Sequence, residues 1–178
     1  EETRCSGDRA EENSTEHHRE IRIGDLPDSA REIIDHFELE PHPEGGWFRQ
    51  TFRDVGADGT VPSTAIYFLL ARGERSHWHR VHHAAEVWHH YAGDPIRLCL
   101  SVDGVAEDDH LLGTDLASGE RPQVIVPLGC WQSAETLGDW TLVGCTVAPG
   151  FDFTHFELAP PDWRPGCSLD VPDLPDGA

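Results

Sequence analysis

The feature that most constrains the fold is a series of short apolar segments, separated by turn sequences roughly every ten to fifteen residues. β-branched and aromatic residues are frequent in them, as in β-strands. The segments cover residues 47–53, 63–71, 87–91, 96–102, 123–126, 141–147 and 151–158. No clear helix-length periodic segment lies between them. We therefore predict an all-β sandwich or barrel and not alternating helices and parallel strands.

One short helix is predicted ahead of the strands, over residues 28–37. Pro27 and Asp28 form a start signal, and Ile33 and Phe37 are four residues apart, so they share one face. The sequence PHPEGG at residues 41–46 ends this region with a turn, for which its glycines provide the backbone freedom.

Composition narrows the possible partners and the organisation of the chain. The 178 residues suit one domain with polar tails, and the formal net charge of −20 disfavours nucleic acid and anionic membranes as partners. The five cysteines show no disulfide framework. We find no apolar run long enough to span a membrane and no signal peptide, so the expected location is the cytoplasm.

The two ends of the chain differ from its middle. Residues 1–20 are almost without apolar side chains, and we predict a disordered arm there. Residues 160–178 are rich in proline and aspartate, and this tail is expected to be mobile or laid over the surface. The folded domain is predicted over residues 21–159.

The residues that carry chemistry are concentrated in SHWHRVHHAAEVWHHYAG, residues 76–93. His77 and His79 are two apart, so on a strand both point to one face. Glu86 follows after a short loop, and the turn PLGCWQ brings in Gln132 about fifty residues later. Two imidazoles and a carboxylate suit a divalent first-row metal such as iron, manganese, nickel or zinc. We predict a metal site made by these four side chains.

These segments resemble the two cupin motifs. The pattern HxH, Glu86 and then Gly93 after six residues is similar to the first motif, and PxGxxQ looks like the second, with Gln132 in place of a third histidine. The segments EGGWFRQTFR, STAIYFLL, SHWHR, EVWHHYAGDP, PLGCWQ and PGFDFTHFEL are similar to a small bacterial and fungal cupin family of unassigned function, the fifth cupin subfamily. This resemblance covers about residues 25–160.

The resemblance implies a double-stranded β-helix, or jelly roll, of the RmlC-like type, with a pocket in the barrel mouth. It also implies a homodimer and a likeness to sugar-nucleotide epimerases and storage globulins. The chain departs from the common motif, because six residues separate His79 from Glu86 where three or four are usual. A different register pairs His82 with Glu86 and puts Arg80 in the place of the first histidine. The form SHWHR favours His77 and His79.

Further site residues are predicted around this cluster. If a strand begins at Glu86, then Trp88 and His90 share its face, and His90 is a candidate to act in catalysis. The resemblance places Arg49, Thr64 and Tyr67 near the pocket. Tyr67 is a candidate proton donor or acceptor, and Arg49, Thr64 and Trp88 are candidates to contact the substrate. Glu44, in the turn before them, is a further candidate to reach the cavity.

Three functions are consistent with these residues. The first is a metal-dependent isomerase, lyase or dioxygenase acting on a small polar or sugar-like substrate, and we favour it. The second is a metal-free, epimerase-like enzyme with a histidine base and Tyr67 as the acid. The third is a barrel that binds or stores a small ligand without catalysis. The fold alone does not choose among them.

Overall fold

Two antiparallel β-sheets that face each other make up most of the computed structural model, which describes residues 23–167. The strands are β1 Glu40–Pro41, β2 Trp47–Arg53, β3 Thr64–Ala71, β4 Ser76–Val81, β5 Ala85–Gly93, β6 Ile96–Ser101, β7 Asp108–Leu112, β8 Gln123–Val126, β9 Trp131–Thr136, β10 Trp140–Ala148 and β11 Phe156–Leu158. The predicted arm at residues 1–20 lies outside the described residues.

The order of the strands is that of a jelly roll. The larger sheet runs β1-β2-β3-β10-β5-β8, and the smaller sheet runs β11-β4-β9-β6-β7. Strands far apart in the sequence are neighbours, as where β10 lies between β3 and β5. The predicted all-β double-stranded β-helix is confirmed.

Apolar side chains between the two sheets form the main core. Along β3, Phe68 and Leu70 point into this core, whereas Leu69 and Ala71 point to the opposite face. This alternation is the period of two expected for a strand that is buried on one face by the other sheet. Here the opposite face is buried as well, because a helix covers it.

The helix α1, Asp28–Phe37, has the bounds predicted for it. It ends at Glu38, which adopts the left-handed conformation with φ of 52° and stops the helical hydrogen bonding. Ala30 and Ile34 are buried against the outer face of the larger sheet. Tyr67 packs beneath the same helix, with its ring centroid 4.7 Å from that of Phe37. The outward residues of β3 are therefore part of a second core and lie away from the space between the sheets.

Besides the two-residue strand β1, three strands were not predicted, namely β4, β7 and β9. Each carries polar side chains at buried or half-buried positions, which hide the strand pattern because strand preference depends on burial. A strand was predicted over residues 151–158, but only β11 is a strand there. Its first part contains a 3-10 helix, Phe153–His155, whose first turn is capped by the Asp152 side chain.

The C-terminal segment lies against the outer face of the smaller sheet as far as residue 167. Trp163 is 6% exposed and packs on Trp131, with ring centroids 4.4 Å apart, and on Trp78, at 6.0 Å. The first residues of the predicted tail therefore lie on the surface of the domain. In the part of the chain that the structure describes, no helix is long and apolar enough to cross a membrane.

Candidate functional site

A cavity of about 60 Å³ opens between the two sheets at one end of the jelly roll. Its wall is largely aromatic and apolar, and a few polar side chains point into it. Cavities with this composition suit small ligands. The polar lining residues are His42, Glu44, Gln50, Thr64, His79, Glu86 and Cys145.

The turn before β2 carries Glu44 into this cavity. Gly45 has φ of 105°, and a Cβ atom there would lie 2.1 Å from the carbonyl oxygen of Arg75. Only glycine allows the turn to come this close to the start of β4. The Glu44 side chain is thereby buried, and its Oε1 accepts a hydrogen bond of 2.8 Å from the hydroxyl of Ser76.

His79 faces the same carboxyl group from β4. Its Nε2 lies 3.2 Å from Oε2 of Glu44, and its Nδ1 lies 2.8 Å from the carbonyl oxygen of His77. Because a carbonyl oxygen only accepts, Nδ1 carries the proton and Nε2 presents a lone pair to Glu44. The Nδ1 atom of His42 is 3.4 Å from the same carboxyl oxygen.

Burial keeps these groups uncharged. It raises the pKa of the Glu44 carboxyl to about 8, although the hydrogen bond from Ser76 opposes the shift. Burial also lowers the pKa of His42 to about 4 and lowers the pKa of His79, which the charge of Glu86 partly offsets. A neutral imidazole therefore faces a protonated carboxyl group near pH 7.

Glu86 is held in place by a chain of hydrogen bonds across the two sheets. The indole Nε1 of Trp88 donates to Oε1 of Gln132 at 2.9 Å, and Nε2 of Gln132 donates to Oε2 of Glu86 at 2.6 Å. Burial raises the pKa of Glu86, whereas His79 and the Gln132 bond lower it. Both ends of the Gln132 amide are therefore occupied by protein partners.

The prediction that His77 and His79 point to one face is wrong. Ser76 pairs with Ala134 and His79 pairs with Gln132, so the two residues between these pairs on β4 lie opposite a single residue of β9. This irregularity changes the facing of the side chains, as a β-bulge does. Ser76 and His79 point inward, and Nε2 of His77 instead lies 2.9 Å from the carbonyl oxygen of Pro160.

The four side chains predicted to hold a metal are consequently not brought together. His79 and Glu86 line the cavity, His77 points away from it, and the oxygen of Gln132 already accepts from Trp88. The predicted set does not fit a first-row metal, which needs free imidazole or carboxylate donors that converge.

A second group of side chains of the types that bind metals lies outside the cavity. Cys99, Glu107 and Asp109 place one ligand atom each within 4.8 Å of one another on the outer face of the smaller sheet. Burial and the neighbouring Asp109 raise the pKa of the Cys99 thiol to about 12. In the metal-free protein the thiol is therefore protonated at neutral pH.

The remaining predicted residues separate into two sets. Thr64 and Trp88 line the cavity, as predicted. Tyr67 does not, because it lies on the outer face of β3 under α1. Arg49 pairs with Tyr67 on that face and bonds to Glu38 and to the carbonyl oxygen of Phe37. His90 is outside the cavity lining, and its Nε2 lies 3.2 Å from the carbonyl oxygen of Asp94.

The comparison with known families agrees with this architecture. Residues 31–159 match the family model described as Cupin superfamily (DUF985). The chain belongs to this cupin family.

Two relatives match this chain over most of their own length. Protein SO0799 of Shewanella oneidensis is 41% identical, with a TM-score of 0.68, over 72% of this chain and 82% of that one. The uncharacterized protein YML079W of Saccharomyces cerevisiae is 25% identical over 75% of this cupin and 76% of its own length. Oxalate decarboxylase of Bacillus subtilis is 15% identical with a TM-score of 0.52, over 67% of this chain and 29% of that one, which shows the fold alone.

The structure also explains the unusual spacing of the cupin motif. Val81 lies two residues after His79 and lines the cavity with it. Four residues separate Val81 from Glu86, as in the common motif. The inward register is therefore His79 and Val81, so this cupin has a valine where the motif has its second histidine.

Sequence reasoning missed His42 and gave Glu44 only a minor role. The signal for both was present in PHPEGG, where two consecutive glycines follow Glu44. Gly46 also has positive φ, at 73°, and a Cβ there would lie 2.8 Å from the carbonyl oxygen of Leu69. Two such glycines in a row indicate a loop pressed against the strands, which brings its polar side chains toward the pocket.

Proposed function

We propose that this cupin is an acid–base enzyme that moves a proton next to the carbonyl group of a small polar substrate, without a metal. The observation that carries the proposal is the contact of 3.2 Å between Nε2 of His79 and Oε2 of Glu44 inside the cavity. This contact places a base and an acid together in a buried pocket, as proton transfer at carbon requires.

The division of roles follows from the hydrogen bonds. The backbone carbonyl of His77 fixes the His79 tautomer, so Nε2 is the basic atom. Ser76 holds one oxygen of Glu44, and the other oxygen carries the acidic proton. His79 would take a proton from the carbon beside the carbonyl while Glu44 gives its proton to the carbonyl oxygen, which forms an enol. Return of the two protons restores a carbonyl compound.

Several features favour this function over the metal-dependent one. The motif position of the second histidine is Val81, and the amide of Gln132 is occupied at both ends. Glu44 takes the acid role that the sequence assigned to Tyr67, which lies outside the cavity. The raised pKa of Glu44 keeps this acid protonated near neutral pH, and the lowered pKa of His79 leaves its Nε2 free to accept a proton.

The test is hydrogen–deuterium exchange of small hydroxyketones and aminoketones, followed by proton NMR in deuterated buffer. The untagged protein is treated with chelator and then assayed alone and after addition of Mn²⁺, Fe²⁺, Ni²⁺ or Zn²⁺. His79→Gln removes the base, and His77→Gln is the matched control on the same strand outside the cavity.

The proposal is supported if the chelator-treated protein catalyses exchange, and if His79→Gln abolishes this activity while His77→Gln retains it. Exchange that appears only when one of the metals is added contradicts it and restores the metal-dependent function. Absence of exchange under every condition favours a barrel that only binds its ligand.

A further inference from the structure

The cavity wall carries acidic side chains that no arginine balances in the range 23–167. Two carboxyl groups, Glu44 and Glu86, point into the cavity, and no arginine is among its lining residues in the range 23–167. The guanidinium group of Arg53 lies at the mouth, where it donates to the carbonyl oxygen of Phe151 and remains exposed. Arg75 and Arg80 bond to Ser133 and Glu157, and neither lines the cavity.

Inside the cavity, an anionic ligand would therefore meet carboxyl groups and no fixed positive charge. The two histidines do not change this balance, because burial lowers the pKa of His42 to about 4 and also lowers the pKa of His79. Desolvating a carboxylate or phosphate in such a pocket is costly without an opposite charge. The chain as a whole, with a net charge of −20, also repels anions.

The aromatic lining adds a feature that attracts cations. Phe151, Phe153 and Phe156 form a cluster at the mouth, with centroid separations of 4.9, 5.8 and 6.0 Å. Phe48 and Trp88 continue the aromatic wall inward toward the carboxyl groups. Aromatic faces attract ammonium groups through their negative electrostatic potential, and the attraction grows when water is excluded.

We propose that the substrate of this site is a small organic cation, with a protonated amine close to the carbonyl group on which His79 and Glu44 act. The inference rests on the proposed function, because it names the substrate class of the same cavity. The amine is recognised by Glu86 and the aromatic wall, and the volume of about 60 Å³ limits the part that reaches the floor to a few atoms.

Three probes with one carbonyl core separate the charge classes. Aminoacetone is a cation, hydroxyacetone is neutral, and pyruvate is an anion. Their dissociation constants are measured by isothermal titration calorimetry with chelated protein at pH 7 and physiological ionic strength. Because titration needs no turnover, failure of the proposed chemistry leaves this measurement interpretable.

We expect aminoacetone to bind roughly tenfold more tightly than hydroxyacetone, and pyruvate more weakly than either. Glu86→Gln should remove most of the preference for the cation. Glu107→Gln removes an exposed carboxylate on the outer surface and should retain the preference, which distinguishes a local effect from the overall charge.

Aminoacetone that does not bind, or binds no more tightly than hydroxyacetone, overturns the inference. So does a cation preference that Glu86→Gln and Glu107→Gln reduce equally, since it would come from the charge of the whole protein. Tight binding of aminoacetone without deuterium exchange supports the inference while contradicting the proposed function.

Discussion

Nε2 of His79 and Oε2 of Glu44 lie 3.2 Å apart, although His79 belongs to strand β4 and Glu44 to the turn before β2. Both side chains are nearly inaccessible to solvent, at 3% and 8% exposed. The pair depends on the turn, on the irregular start of β4 and on the burial of both groups. Changes to these features should therefore have measurable effects.

The stability of the metal-free protein should fall as pH rises from 6.5 to 9. The folded protein holds the pKa of Glu44 at about 8, above the value of 4.5 expected when unfolded. Its stabilising contribution is therefore complete below pH 4.5 and is lost as pH rises through about 8. The pKa of His42 is lowered to about 4, so this residue destabilises the folded protein only as the pH falls below 6.5, outside the range tested.

Urea unfolding at pH 6.5 and pH 9 measures this loss in the free energy of unfolding, which we expect to be on the order of a few kcal/mol. Glu44→Gln should reduce the difference between the two pH values, whereas Glu107→Gln should leave it unchanged. An undiminished pH effect in Glu44→Gln would assign the effect to other groups.

Gln132→Leu should destabilise the protein by about 2–4 kcal/mol. It removes the acceptor for the Trp88 indole and the donor to Glu86, so two buried polar groups lose partners. Gln123→Leu, on the exposed side of β8, is the matched control and should change stability by about 0.5 kcal/mol or less. Similar losses in both variants would show that the buried chain of hydrogen bonds contributes little.

Gly45→Ala should cost several kcal/mol, more than the same change at Gly59. Both glycines have positive φ, 105° and 83°, so both variants carry backbone strain of about 1–2 kcal/mol. At Gly45 the new Cβ also meets the Arg75 carbonyl oxygen at 2.1 Å, whereas nothing lies within 4 Å at Gly59. Chemical denaturation of the two variants isolates the close approach, and equal losses would contradict its importance.

Sodium chloride should raise the melting temperature of this protein between 0.05 and 1 M. A net charge of −20 produces self-repulsion in the folded state, and 1 M salt reduces the screening length to about 3 Å. Differential scanning fluorimetry at pH 7 measures the shift, with sucrose as a control that stabilises without screening charge. An unchanged or lower melting temperature in salt would show that the acidic groups are too far apart to repel one another.

The sequence predicted an all-β sandwich or barrel because apolar alternation and turn residues are local properties that burial by a facing sheet imposes, and the resemblance to cupins implied the jelly roll. It also placed Glu86 and Trp88 on one face of β5, in the part of the strand whose pairing is regular, so that parity is reliable there. The His77 error has a physical cause. Parity counting assumes a regular strand, and one irregularity between Ser76 and His79 reverses the facing of every residue before it.

The helix α1 is a second reason why the sequence predicted the site only in part. The resemblance to cupins placed Tyr67 near the pocket, and strand alternation could have corrected this only if one face of β3 were solvated. Because α1 covers that face, both faces of β3 are apolar and the pattern does not say which one is the pocket. The partner of Glu44 lies about thirty residues away, so the glycines of PHPEGG indicate a close approach but do not identify the strand that is approached.

The packing of Trp163 against Trp78 and Trp131 has a consequence for where the domain can be cut. A truncation after residue 159, the last residue matched to the family, would remove this indole and the Pro160 carbonyl that meets His77. It would expose two tryptophans on the smaller sheet, and exposed aromatic patches promote self-association. A fragment intended for expression should therefore extend at least to Cys167, although the proline-rich composition of its end resembles a dispensable linker.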